Sequence, residues 1–365
     1  MITALLVIAI LVFLIIAHEL GHFIAAKLFR VRVEEFGVGY PPRAFTFGKI
    51  GHTEYTLNWI PFGGFVRLFG DIGEEKHGRG SFVDAHRGVQ ALILIAGVAA
   101  NTIIAWTLFA AALHVGVLRP VETPMPNEPV RLIVAHVVPG SPADAAGVKA
   151  GDQITSINAQ NGEEQIVGLL TPDLVSDFVR SRGGKTMSVS YLRGGEESEV
   201  VIRPAHGVIP DEAGRPAAGF ALYLVSERSL PWADAAKEAF SATFGAFRTV
   251  VHGLWSIVDR ILAGQPNLSD VVGPLGLMGV VGDAAQSGAG EVLTLMAFIS
   301  VNLAIINLIP IPALDGGRLA LLGIETLVRR SAPRLALQIL NAFGVALIMM
   351  LMIAVTYNDI ARLLA

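Results

Sequence analysis

The sequence predicts a polytopic α-helical membrane protein of about four transmembrane helices, with a membrane-associated β-hairpin or small sheet and one inserted β-rich domain. Three observations predict it. Of 365 residues, 53% are hydrophobic and only 16% charged, and mean hydropathy is +0.58, whereas a soluble domain carries about 25% charged residues. The apolar residues gather in a few long runs separated by ordinary polar sequence. Between the second and third runs, residues 118–291 are far too polar to lie in hydrocarbon throughout. A net charge of −4 and a pI near 6.1 give no basic footprint for nucleic acid. With no cysteine, disulfides, thiolate ligands and a cysteine nucleophile are excluded, so any metal rests on His, Asp or Glu.

Crossing about 30 Å of hydrocarbon takes roughly 20 apolar residues as helix. Residues 2–29, 89–117, 292–311 and 335–357 meet that length. The first run has no basic residue before it and no small-residue cleavage site, so it reads as a retained helix and not a signal peptide. Arg30, Arg32, Arg43, Lys49, Arg67, Lys76, Arg79 and Arg87 lie between spans one and two; Arg318, Arg329, Arg330 and Arg334 lie between spans three and four. The positive-inside rule makes both loops cytoplasmic and puts the termini and the long middle region on the other side.

Between the first two spans, residues 31–88 include "GVGYPPRAFTFG" and "WIPFGGFVRLFGD", whose Gly, Pro and alternating aromatics predict a hairpin or small sheet. Such backbone at membrane depth needs protein or a watery cavity to cover its polar groups, so it is expected to line an active site. In the middle region, Pro-rich 120–129 reads as a linker. Strand-like runs follow at 131–138, 153–157, 187–192 and 199–202, with a helix near 172–182, inside a domain bounded at about 118–225. Residues 232–262 have amphipathic helical periodicity. The Gly-rich 271–290 is open between a loop and a partly inserted segment. Residues 318–334 read as a cytoplasmic loop and 358–365 as a tail.

The chemistry centres on His18-Glu19-Leu20-Gly21-His22, near the end of the first span. Positions i and i+4 share a helix face, so both imidazoles can bind one metal ion, with Glu19 beside them as general base for a metal-activated water. The motif alone is weakly specific, and paired histidines on a helix are its bland alternative. The motif directly follows an apolar run, and ionisable groups at membrane depth cost about 3 kcal/mol each even on a gentle scale, which favours function. Zinc suits a His₂-carboxylate set with one open position, although non-haem iron uses similar ligands. The third ligand is expected from Asp315, at the end of the third span and on the same predicted side as His22. Pro310 and Pro312 break the helix before it, and Gly316-Gly317 permits a sharp turn after it. The alternative is an Asp that merely caps the next helix.

HELGH together with Asn307-Leu308-Ile309-Pro310-Ile311-Pro312-Ala313-Leu314-Asp315-Gly316-Gly317 resembles the two signatures of the site-2 protease family of intramembrane zinc metalloproteases, in its bacterial RseP- and MmpA-like branch. The likeness spans nearly the whole chain. It implies one zinc held by His18, His22 and Asp315, and Glu19 as catalytic base. It further implies substrate-binding roles for Asn307, Asn101, Gly63, Gly64 and Phe65. Gly97-Val98 stands where the family often has Gly-Pro, although Asn101 is retained; an interhelical hydrogen bond is its alternative role. Residues 137–154, "VVPGSPADAAGVKAGDQI", resemble a bacterial PDZ signature, with Ser141 as cap of a short helix that Gly147 ends. The implied partners are the bilayer, single-pass substrates already shortened elsewhere, such as anti-sigma factors or signal-peptide remnants, and a peptide or substrate ectodomain at the PDZ domain. The implied location is the bacterial inner membrane, with the active site toward the cytoplasm. The alternative of another class is an inactive PDZ-bearing scaffold, which an intact Glu19 argues against. A zinc transporter is weaker still, since neither motif recurs.

Overall fold

The computed structural model describes residues 2–71, 77–121, 129–159, 165–166, 170–208, 214–264, 273–330 and 332–364. The chain forms two compact units, Met1–Val115 with Leu230–Ala365, and Gly116–Ser229.

In the first unit, helix α1 (Ile2–Leu28) is followed by strands β1 (Val33–Ile50) and β2 (Thr53–Leu68) and by helix α2 (Arg87–Val115). Small residues let α1 and α2 approach closely: a Cβ on Gly21 would lie 2.7 Å from that of Ala100. The turn between the strands uses Gly51 at φ +62°, a conformation open to glycine without steric penalty. The strands are bent, for Tyr55 pairs with both Phe36 and Gly48, and Val38 with both Gly64 and Leu57. Two strands thereby curl into a small sheet. Its buried polar centre is Glu35, 3% exposed, which accepts from Arg43 at 2.9 Å and Thr56 at 2.8 Å and pairs with Arg67 at 3.0 Å. An apolar core of Ala26, Val31, Val33, Leu68, Phe82 and Ile93 ties this sheet to α1 and α2.

The second unit contains β3 (Val117–Pro120), β4 (Val130–Val137), α3 (Pro142–Ala145), β5 (Gln153–Ala159), β6 (Gln165–Ile166), α4 (Pro172–Arg180), β7 (Met187–Arg193), β8 (Glu196–Ile202), β9 (Ala205–His206), β10 (Pro216–Ala217) and β11 (Phe220–Arg228). Of the expected Pro-rich linker, 122–128 lie outside the described residues. The main sheet runs β3-β11-β4-β5-β7-β8, with β6 on β5. Alternation puts Leu132 with Val134 and Met187 with Val189 into one core, a register shift between Ile154 and Ser156 brings Ile157 into the same core as Ile154, and Val175 and Phe178 of α4 close it. Ser141 and Thr171 cap α3 and α4 by accepting from Asp144 and Leu174 N–H, each at 3.3 Å. Asp152, 1% exposed, accepts two Arg193 N–H bonds at 2.7 Å and the Lys149 N–H at 2.8 Å. The hydrogen bond to Asp152 holds the Arg193 guanidinium above its ordinary pKa.

The first unit resumes with α5 (Trp232–Leu262), α6 (Pro274–Ser287), α7 (Ala289–Leu308), α8 (Asp315–Val328) and α9 (Arg334–Leu364). Helix α5 buries Ala235, Ala239, Ala246 and Val250 and exposes Phe240, Phe244 and Trp255, the two faces that its periodicity demands. The Gly-rich stretch, which the sequence allows as either loop or inserted segment, is helical from Pro274; residues 271–272 lie outside the described residues. Its helix starts because Pro274 suits the first turn and because Asp359 of α9 accepts from the N–H groups of Gly273, Leu275 and Gly276 at 2.9–3.2 Å. Two expectations are corrected. Residues 318–328 are helix, not loop, because Leu322 and its apolar neighbours give α8 a buried face. The tail from 358 continues α9 to Leu364, with Asp359 3% exposed in its interior contact. Among the described residues, Ile2–Leu28, Arg87–Val115, Ala289–Leu308 and Leu335–Ala361 are long and apolar enough to cross a membrane.

Candidate metal centre

Helix α1 stacks His18 and His22 one turn apart, with ring centroids 4.7 Å apart and Nε2 atoms 3.1 Å apart. The third group arrives from far along the chain. Pro310 and Pro312 cannot continue the α7 hydrogen-bond ladder, and Ala313 turns the chain at φ +78°. Gly316 and Gly317 then let α8 start directly against the backbone just left. A Cβ on Gly317 would lie 2.7 Å from the carbonyl carbon of Ile311, and one on Gly316 would strike the carbonyls of Leu308 and Ile309. This fold-back delivers Asp315 Oδ2 to 3.0 Å from His18 Nε2 and 3.1 Å from His22 Nε2.

The donor set fits a divalent cation. His22 Nδ1 lies 2.8 Å from the Ile93 carbonyl, and a carbonyl only accepts, so this nitrogen bears the hydrogen and, in the neutral ring, Nε2 carries the lone pair. That lone pair faces a carboxylate oxygen at 3.1 Å. Two acceptors at this separation repel unless a proton or a metal ion lies between them. The ligand atoms of His18, His22 and Asp315 all lie within 4.8 Å of one another, a grouping that could hold one metal ion, and nitrogen–nitrogen–oxygen donors suit zinc.

The walls are shaped for these rings. A Cβ on Gly97 of α2 would lie 2.6 Å from His18 Cε1 and 2.7 Å from His22 Cε1, so only glycine leaves room for both. Glu19 is half-buried, and His22, His18, Asp315 and Arg318 are the ionisable groups around it. Arg318 itself reaches Asp71 at 3.4 Å.

The structure therefore brings together His18, Glu19, His22 and Asp315. Asn101, wholly buried on α2, places its amide 3.4 Å from His18 Nδ1. Gly64 faces the base, since a Cβ there would lie 3.2 Å from Glu19 Cγ. Gly63 faces the Tyr40 ring at φ +115°, and the Phe65 ring covers Gly37. Neither Gly63 nor Phe65 takes part in the contacts that define the cluster, and neither does Asn307, half-buried in the last turn of α7. Sequence reasoning missed Gly97 and the Ile93 carbonyl. The spacing of Gly97 and Asn101, one turn apart on α2, was a signal that could have found the first. A backbone acceptor has no signature.

The model of the family described as Peptidase family M50 matches residues 6–351. A putative zinc metalloprotease of Clostridium perfringens is 33% identical over 95% of this chain and 95% of its own. The zinc metalloprotease RasP of Geobacillus kaustophilus is 26% identical over 96% and 95%. Among solved structures, the PDZ domain of an SdrC-like protein from Listeria monocytogenes matches at 21% identity, covering 27% of this chain and 93% of that one at a TM-score of 0.21. With one family pattern over nearly its whole length, apolar helices of membrane-crossing length and a metal-ready cluster of two histidines and an aspartate, this chain belongs to peptidase family M50 as a zinc-dependent metalloendopeptidase of the membrane.

Proposed function

We propose that this metalloendopeptidase hydrolyses peptide bonds within or at the edge of membrane-embedded segments of other proteins, with zinc held by His18, His22 and Asp315 and with Glu19 as proton carrier. The observation that carries the reading is the meeting of an α1 helix turn with the α7–α8 break inside a helix pair apolar enough to span a bilayer. Zinc bound there supplies Lewis acidity, which brings water to ionise near neutral pH and polarises a carbonyl. Glu19 takes the proton from the attacking water and later delivers it to the leaving amide nitrogen. Asp315 and the His22 imidazole stay fixed, because the fold-back at Gly316-Gly317 and the Ile93 carbonyl hold them.

A helical substrate hides its scissile carbonyl, so it must be presented as extended chain. Strand β2 pairs with β1 at Gly64↔Val38 and passes beside Glu19, which supports strand addition along the segment that includes Gly63, Gly64 and Phe65. Asn307 completes the substrate-binding set carried over from the family resemblance, whereas Asn101, also carried over, is 0% exposed and meets His18 Nδ1. The substrate class is a single-pass segment already shortened elsewhere, such as an anti-sigma-factor-like protein or a signal-peptide remnant, in the bacterial inner membrane with the site toward the cytoplasm. The second unit supports a PDZ-like role by its own geometry. A groove of about 500 Å³ lies between α4 and β11, lined by His136, Val175, Val179, Arg180, Arg215 and Phe220. There a peptide or a substrate ectodomain would bind.

The test is cleavage of a tagged, pre-shortened single-pass protein by the purified wild type and by E19Q, with zinc measured in both. The expected result is cleavage by the wild type, and zinc retained without cleavage in the variant. Equal cleavage by both would take Glu19 out of the proton-carrier role, and zinc retained with no cleavage by either would replace the mechanism with the scaffold reading.

A further inference from the structure

His18 and His22 are neighbours oriented by different kinds of group. His22 Nδ1 meets a backbone carbonyl at 2.8 Å, which can only accept. His18 Nδ1 meets the side-chain amide of Asn101 at 3.4 Å, and an amide donates from one end and accepts at the other. Asn101 is 0% exposed, and its Oδ1 has no hydrogen-bond partner among the described residues. The main chain of Asn101 is held, since its carbonyl accepts from Ser300 Oγ at 2.8 Å and Ser300 is itself 0% exposed.

The two amide orientations have opposite consequences for the ring. With Nδ2 toward His18, Nδ1 must accept, the ring hydrogen moves to Nε2, and Nε2 has no lone pair for a metal. With the amide turned by half a revolution, Oδ1 accepts from Nδ1–H and the buried oxygen gains a partner. Nε2 then presents a lone pair beside Asp315 Oδ2, as His22 Nε2 already does. The oxygen and nitrogen of an amide are assigned from such networks, and metal-bound imidazoles as a rule donate their other N–H to an acceptor.

We propose that Asn101 is a positioning residue for His18: in the zinc-loaded enzyme its Oδ1 accepts the His18 Nδ1 hydrogen, and rotation of its amide decides whether Nε2 is a metal ligand. This rests on the reading of His18 as a zinc ligand. The experiment is zinc affinity of the full-length chain in detergent, measured by competition with a chromogenic chelator. N101D, which offers acceptors only, retains zinc within about threefold of wild type. N101L, similar in size and unable to accept, binds zinc about 10-fold to 100-fold more weakly. S300A removes the helix–helix hydrogen bond at the same residue without touching the ring, and it changes affinity less than about threefold. An N101L affinity within threefold of wild type overturns the proposal, as does an equal loss in N101D and N101L. Should N101L not be recovered as monodisperse protein, N101D decides alone, and a loss above tenfold there overturns it. H18A separates the two readings: if it keeps wild-type zinc affinity the ligand reading fails, whereas loss in H18A without loss in N101L defeats only the role of Asn101.

Discussion

Two aspartates, one buried and one half-buried, are treated in opposite ways in the two units. Asp152, in the β-rich unit, receives two guanidinium N–H bonds from Arg193 at 2.7 Å and one from the Lys149 backbone. Its charge is neutralised by a dedicated cation, and the result is a stable corner of a sheet. Asp315, in the helical unit, faces two imidazole nitrogens at 3.0 and 3.1 Å, while the nearby Arg318 reaches for Asp71. Burying a charge without a partner is unfavourable by several kcal/mol as an order of magnitude. A fold that gives one aspartate its arginine, and turns the arginine near the other toward a different carboxylate, leaves the second ready for a cation from outside. Under the proposed function, a structural carboxylate is thereby told from a metal-binding one by its partners.

The largest expected break in that contrast comes from Asp315. D315A should lower zinc affinity by more than the roughly 100-fold that loss of an outer hydrogen bond produces, and cleavage should vanish with it. Retention of zinc by D315A, measured by elemental analysis after dialysis against chelator, would take this residue out of the ligand set. The next effect comes from Gly97. G97A inserts a methyl group where the two imidazoles pass, so the site should lose about 1–3 kcal/mol to overpacking and zinc affinity should fall about 5-fold to 150-fold. Zinc titration against the same chelator checks it, and an unchanged affinity would mean that the rings have other room. The smallest effect on the metal centre comes from the other aspartate. R193A strands a buried carboxylate and should destabilise the β-rich unit by roughly 2–3 kcal/mol while zinc content stays at the wild-type level. Denaturant unfolding followed alongside metal content tests both halves of that statement.

Much of this molecule is legible in the order of its amino acids. HELGH states its own geometry, because two residues four apart on a helix must share a face. The expected strands at 131–138, 153–157, 187–192 and 199–202 fall on β4, β5, β7 and β8, since alternation is a local property of a half-buried sheet. The helix of 274–287 is not legible in this way. Its start depends on Asp359, more than eighty residues away, and its glycines mimic a loop when read alone. Gly97 reads in sequence only as the position before a missing proline, because its value lies in the space it leaves for side chains of another helix.

The sequence by itself determined the helix-bearing spans, the imidazole pair and the presence of a carboxylate after a proline break. Each follows from chemistry within a few residues: apolar length, helical period, and prolines without an N–H. Only the tertiary structure decided that Asp315 closes on both imidazoles, that Ile93 and Asn101 orient the two rings, and that Arg193 goes to Asp152 while Arg318 goes to Asp71. Those outcomes depend on distances between groups separated by tens to hundreds of residues. Such distances are set by how helices and strands pack, which no local pattern encodes.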